Sequence, residues 1–222
     1  MSRVIFDIET LGKDFGSLDE PSREYLMRWA DTEQEKQEVI ESLSFYPHTA
    51  EIIALGMYNY DTSKGVVYYQ SPGKDAGPVE EEGITYEVKD EKGILMSFWE
   101  VINHYDEFVT FNGRGFDCPF IIVRSALHKI KPTRDLMPYR YKGPHIDLFD
   151  QLSFFGATRK KFSLDMWCRT FGIVSPKDEG IKGEDVKQIF EEGRYLDIAR
   201  YCGRDIVATG ELMKCWEEYI KV

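Results

Sequence analysis

The sequence contains no long hydrophobic run. Its apolar stretches are of the length of Phe120-Ile121-Ile122-Val123, far short of the roughly 18 apolar residues that a membrane span needs. No membrane partner is expected. The N-terminus, Met1-Ser2-Arg3, meets a charge too soon for a secretory signal, so a cytoplasmic location is expected. Cysteine is sparse: Cys118, Cys168, Cys202 and Cys215 stand singly. Without a C-x-x-C pair a structural zinc site is disfavoured, and reduced thiols are the expectation. Positive charge is also short, with 28 Lys and Arg against 39 Asp and Glu and a net charge of −11. That balance argues against a protein that simply coats nucleic acid. It leaves room for an enzyme acting on one strand end, where metal ions offset part of the charge. Arg159-Lys160-Lys161 and the pair Arg140/Lys142 are candidates for a local basic patch, or else solvated loops. Histidine is rare too. His48, His104, His128 and His145 have no ligand-like spacing and read as ordinary structural residues.

What is present suits a globular α/β protein. The 222 residues are 42% hydrophobic, enough for a sizeable core. Arg3 to Ile8 alternates as a strand. Residues 19–45 are polar and helix-prone after the start signal Asp19-Glu20-Pro21-Ser22, predicting a helical insertion after the first strand. Residues 51–60 and 66–70 read as paired strands, residues 71–91 as an acidic surface loop with room for a short hairpin, and residues 93–105 as an amphipathic helix. Strands at 108–111 and 145–147 and helices at about 117–129, 163–172, 183–191 and 195–220 complete the pattern. No repeat is visible. One domain over residues 1–222 is expected, with a central mixed five-stranded sheet flanked by helices.

Three patches carry chemistry. In Phe6-Asp7-Ile8-Glu9-Thr10 the two acids sit at i and i+2, so on a strand they share a face. Carboxylates this close repel unless a cation lies between them, and hard divalent cations take oxygen ligands. Read alone, the pair is equally two solvated acids at a strand end. Thr110 to Pro119 joins a buried strand to a helix through Gly113 and Gly115, glycines that permit backbone shapes other residues avoid. Asp117 stands where a simple helix cap would stand. In Tyr201-Cys202-Gly203-Arg204-Asp205 the hydroxyl and the carboxylate share a helical face; the ordinary alternative is a half-buried tyrosine beside a surface acid. Gly203 in mid-helix costs about 1 kcal/mol against alanine, a hint of a close neighbour.

Taken in order, D-x-E, N-x-x-x-F-D and Y-x-x-x-D resemble the three motifs of the DEDD superfamily of 3′→5′ exonucleases, tyrosine subtype. The resemblance extends to predicted exonucleases related to the proofreading domain of family B DNA polymerases. Leu43 to Pro47 with Glu51 to Ala54, His145 to Leu148, Phe162 to Asp165, Pro176-Lys177 and Gly183 to Val186 carry it. It implies a ribonuclease H-like fold and two divalent cations, Mg²⁺ or Mn²⁺. Asp7, Glu9, Asp117 and Asp205 would be their ligands, with Asp7 the bridge and Tyr201 orienting the attacking water. The histidine subtype places His where this chain has Arg200. Thr10, Leu11, Phe111, Asn112 and Phe116 are candidates for contact with the terminal nucleotide, although the apolar ones are equally core residues. Asp147 and Asp165 read as supporting or capping groups. The partner would be a nucleic acid 3′ end, DNA favoured over RNA, with any proofreading done in trans for a polymerase or repair protein. A haloacid dehalogenase-type phosphatase would need aspartate where Glu9 stands. The other rivals are an exoribonuclease and a binding module of the same fold that has lost catalysis.

Overall fold

The computed structural model describes residues 1–73, 77–178 and 180–221, and all their side chains except that of Glu184. The central strand is β1 (Arg3–Gly12). It pairs antiparallel with β2 (Ala50–Asn59), which pairs with β3 (Lys64–Tyr69). On its other side β1 runs parallel to β6 (Glu107–Thr110), which runs parallel to β7 (His145–Asp147). A hairpin, β4 (Val79–Glu81) and β5 (Ile84–Val88), closes the far edge, and the order is β4-β5-β3-β2-β1-β6-β7. The sheet therefore has seven strands, not the expected five. The extra two come from the acidic 71–91 segment, of which residues 74–76 lie outside the described residues. Glu82 and Gly83 both have positive φ, 50° and 81°, as a type I′ hairpin turn requires. Ile84 and Tyr86 then alternate inward.

Alternation along β1 divides the core between the two faces of the sheet. Val4, Phe6 and Ile8 pack beneath α3 (Glu91–Val101) and α4 (Asp117–Leu127). Ile5 faces the other way, under α8 (Tyr195–Tyr219). Asp7, Glu9 and Leu11 follow Ile5 on that face by the period of two.

The two ladders of β1 have unequal lengths. Pairing with β2 continues to Gly12↔Ala50, with a bulge between Glu9 and Thr10. Pairing with β6 stops at Ile5↔Val109. Asp7 and Glu9 thus lie within the strand rather than at its end, beside a gap left where β6 turns away.

The insertion is helical as expected but is two helices, α1 (Glu20–Met27) and α2 (Glu33–Glu41). Asp19 accepts from Ser22 N at 2.9 Å, and Thr32 with Glu35 forms a capping box that starts the second helix. Neither helix buries a residue. The remaining helices are α5 (Leu148–Leu152), α6 (Leu164–Phe171), α7 (Val186–Glu191) and α8. No described helix is long and apolar enough to cross a membrane.

One buried charge cluster ties the layers together. Glu91 accepts from Ile52 N at 2.8 Å and from Arg124 Nε at 2.7 Å, and His128 Nε2 lies 2.6 Å away. These partners satisfy a carboxylate that burial would otherwise penalise.

Candidate active site

The three patches converge where β6 leaves β1. The carboxyl oxygens of Asp7 and Glu9 and the Cys202 sulfur lie within 4.8 Å of one another. Asp117 enters from the first turn of α4, 3% exposed, and its Oδ1 accepts from Ile8 N at 3.0 Å. The carboxylate occupies the side of β1 that no longer has a β6 partner. Asp205 and Tyr201 descend from α8, buried, and the tyrosine hydroxyl hydrogen-bonds the Asp205 carboxylate one turn on.

Burial is the first force on all four acids, and it favours their protonated forms. Burial pushes Asp7 well above the usual carboxylate range, and Asp117, Asp205 and Glu9 push it further. Burial does the same to Glu9, reinforced by Asp205 and Asp117. Asp117 is raised to about 7, chiefly by burial, against two backbone N–H groups that pull it down. Asp205 is raised to about 7 by burial, opposed by Tyr201, Arg204 and Lys177. Four carboxyls in one low-dielectric place are costly when ionised, unless protons or cations neutralise them. The donors are oxygens, which fits Mg²⁺ or Mn²⁺.

Cys202 is a neighbour that the spacing did not reveal. Its thiol is fully buried, and burial holds it protonated. It points at the Asp7 carbonyl, 3.7 Å away. A Cβ on Gly56 would come within 3.1 Å of its sulfur. Cys202 therefore packs α8 onto β2 behind the carboxyls. Burial first, then Asp205, also keeps the Tyr201 hydroxyl protonated and hence a donor.

The turn between β6 and α4 is held from β7. Asp147 accepts from Asn112 N at 2.8 Å, Arg114 N at 2.9 Å and Phe149 N at 3.1 Å, so it is the supporting and capping group expected. The glycines act differently from expectation. The left-handed residue is Asn112, with φ 65°, not Gly113 or Gly115. Both glycines instead provide space. A Cβ at Gly113 would collide with the Thr110 side chain, and one at Gly115 would lie 2.8 Å from the Asn112 amide oxygen. Gly203 answers to a close neighbour as its cost suggested: a Cβ there would meet the Tyr86 hydroxyl at 2.8 Å.

The expected substrate contacts are placed unevenly. Asn112 is exposed at the mouth of the turn. Leu11 and Phe111 are half-buried against the α8-side core, and Phe111 meets the Phe149 ring at 5.7 Å. Phe116 packs on Phe120 at 5.3 Å and near Phe45 at 6.5 Å. The Thr10 hydroxyl donates to Ser44 O at 2.7 Å, tying β1 to the end of the insertion. Arg200, in the place a histidine would take, turns away to Glu81 and Asp197. His145 is buried, with Nε2 2.8 Å from Thr110 Oγ1, and lies outside the acid cluster. Lys177 acts on Asp205 as its chain neighbour Arg204 does, and for Lys177 no local spacing announces the relation.

The fold is ribonuclease H-like. It superimposes on the family B DNA polymerase from the hyperthermophilic archaeon Pyrobaculum calidifontis with a TM-score of 0.61 at 17% identity, covering 97% of this chain and 24% of that one. DNA polymerase 1 of Sulfolobus acidocaldarius is 27% identical over 165 residues, 64% of this chain and 19% of that protein. The chain thus spans under a quarter of either polymerase's length. A family profile matches residues 74–213, which include Asp117, Tyr201 and Asp205 but not Asp7 or Glu9. With that match over more than half its length, the chain belongs to the family of predicted 3′-5′ exonucleases related to the exonuclease domain of PolB.

Proposed function

We propose that this chain, residues 1–222 as one domain, is a 3′→5′ exonuclease of the tyrosine subtype of the DEDD superfamily. It hydrolyses phosphodiester bonds at the 3′ end of single-stranded or frayed nucleic acid, DNA in preference to RNA, and releases nucleoside 5′-monophosphates. The observation that carries this reading is the convergence of four acids: the carboxyl oxygens of Asp7 and Glu9 lie within 4.8 Å of each other, Asp117 accepts from Ile8 N between them at 3.0 Å, and Glu9, Asp117 and Asp205 are buried. Such a cluster invites cations rather than protons at neutral pH.

Divalent cations bound there would favour hydroxide over water and offset charge on the leaving oxygen. The chain's own groups do the rest. Asp7, reached by both Asp117 and Asp205, would be the carboxylate that the cations share. Glu9 and Asp205 would hold the cation that supplies the attacking water, and Asp117, braced on Ile8 N, would hold the other. The Tyr201 hydroxyl, kept protonated, orients that water by hydrogen bonding. Asn112, Thr10 and Leu11, with Phe111 and Phe116, hold the terminal nucleotide against the cluster. Similarity to polymerases that act on DNA supports the preference for DNA. A cytoplasmic enzyme serving a polymerase or repair protein in trans is consistent with this activity.

The test is release of mononucleotides from 3′-recessed, blunt, mismatched and single-stranded DNA and from RNA, with Mg²⁺ or Mn²⁺ and with chelator. Cation-dependent release that Asp117→Ala abolishes is expected. Wild-type protein that binds the cation yet degrades none of these substrates would overturn the reading.

A further inference from the structure

We propose that the strand leading to the cleaved end runs over a surface formed by Tyr139, Tyr141, Phe154, Lys160, Lys161 and Phe162. The surface would take a single-stranded nucleic acid by stacking its bases and pairing with its phosphates. The inference rests on the exonuclease reading and adds to it the path that the substrate strand takes.

Charge is the first argument. The chain is strongly acidic, yet between Leu136 and Leu164 its basic residues are Arg140, Lys142, Arg159, Lys160 and Lys161. The acids of that stretch, Asp147 and Asp150, are 3% and 4% exposed and already bonded, to backbone amides and to Arg140. The exposed charge is therefore basic. It is also interleaved with rings, since Tyr139, Tyr141, Phe154 and Phe162 are 71%, 61%, 59% and 37% exposed. Tyr141 bridges Tyr139 at 5.7 Å and Phe155 at 4.8 Å. Lys160 lies 5.4 Å from the Phe162 ring, and Lys161 5.2 Å from Phe149. Rings alternating with cations match a strand whose bases alternate with phosphates. A duplex keeps its bases stacked inside, so the surface selects unpaired strands.

Backbone strain is the second argument. Phe154 and Phe155 have φ of 49° and 56°. Bulky residues rarely adopt such angles, which cluster where function requires them. The helix-ending bonds from Phe154 N to Gln151 O at 3.1 Å and from Phe155 N to Asp150 O at 2.7 Å hold these angles, and they leave the Phe154 ring turned to solvent.

Position is the third. Arg114, in the turn beside Asp117, donates from Nη1 to Pro138 O at 2.9 Å and from its backbone N to Asp147 at 2.9 Å. Tyr139 is thereby tied to the mouth of the acid cluster. Phe111 meets Phe149, which meets Lys161. A strand whose end lies at Asn112 has this surface as its continuation.

The experiment compares kcat/KM in Mg²⁺ for oligodeoxythymidylates of about 3 and about 12 nucleotides, below and within the roughly 4–16-nucleotide sites typical of single-strand grooves. The p-nitrophenyl ester of thymidine 5′-monophosphate serves as a probe too small to reach the surface. Wild type should favour the longer strand. Tyr139→Ala/Tyr141→Ala and Lys160→Ala/Lys161→Ala should each shrink that preference about ten-fold or more, chiefly through KM, as loss of ~1.4 kcal/mol implies. The lysine variant should also flatten the salt dependence by about 1.4 in log–log slope, at ~0.7 for each phosphate contact. If wild type hydrolyses the ester and the strands but its length preference survives both variants, the surface is wrong and the exonuclease reading stands. If wild type is inert on the ester and on every strand, the exonuclease reading fails and this inference with it.

Discussion

Asp117 Oδ1 accepts a hydrogen bond from Ile8 N at 3.0 Å, joining the two segments that supply three of the four acids. The bond fills the edge of β1 just past its last pair with β6. Asp117 is thus both a candidate ligand and a structural acceptor, and substitution separates the two. Asp117→Asn keeps an acceptor for Ile8 and removes the charge. Near pH 4, where the folded Asp117 keeps its proton, it should leave stability within about 1 kcal/mol of wild type, whereas Asp117→Ala should cost about 1–3 kcal/mol by stranding a buried amide. Both should lose cation-dependent nuclease activity. Urea unfolding beside the nuclease assay checks this, and equal stability of the two variants would refute the structural half.

The raised acids predict an inverted pH dependence for the cation-free protein. Asp117 and Asp205 titrate near 7 when folded, against about 3.9 in an unfolded chain. Their contribution is fully present below pH 4 and is lost as pH rises through 7, because the folded state binds more protons in that window. Wild type without cations should therefore lose stability between pH 5 and pH 8 relative to Asp117→Asn/Asp205→Asn. Mg²⁺ or Mn²⁺ should restore it, by about 2.7 kcal/mol at a hundred times Kd, and more at pH 8 than at pH 5. Thermal melts with chelator and with cation provide the measurement. A pH trend of equal size in wild type and double variant would remove Asp117 and Asp205 as its source, leaving Asp7 and Glu9.

Tyr201 is buried with its hydroxyl on Asp205. Tyr201→Phe keeps the ring and loses the donor. Turnover should fall by about 10²–10³, the usual range for losing one positioned hydrogen-bond donor, with KM little changed. A loss confined to KM would instead make the tyrosine a substrate contact.

Gly203 and Tyr86 form a pair suited to a double-mutant cycle. Alanine at 203 gains about 1 kcal/mol of helix propensity but sets a Cβ 2.8 Å from the Tyr86 hydroxyl. Gly203→Ala should destabilise the protein, and in a Tyr86→Phe background the same change should be neutral or stabilising. Additive effects in chemical denaturation would mean that the close contact does not limit residue 203.

Much of this protein is legible locally. Alternation in Val4 to Ile8 sets two sheet faces, and the period of two puts Asp7 and Glu9 on one of them. The four-residue spacing from Tyr201 to Asp205 aligns hydroxyl and carboxylate on one helical face. Caps at Asp19, Thr32, Asp90 and Ser163 start helices by bonds within one turn. What misled was tertiary. The β4–β5 hairpin joins the sheet because Lys64 to Tyr69 offers it a free edge, a fact absent from its own acidic sequence. Gly113 and Gly115 suggest unusual backbone, but their need is space for Thr110 and Asn112.

The sequence by itself determined which side chains could do chemistry and on which face of its own element each would stand, because periodicity and capping depend on near neighbours. Only the tertiary structure decided that they meet. Asp117 lies more than a hundred residues from Ile8, and the early end of the β1–β6 ladder leaves the gap that it fills. Cys202 behind Asp7, Asp147 across the turn and the aromatic surface leading from Asn112 likewise follow from long-range packing, which residue order alone does not encode in any local pattern.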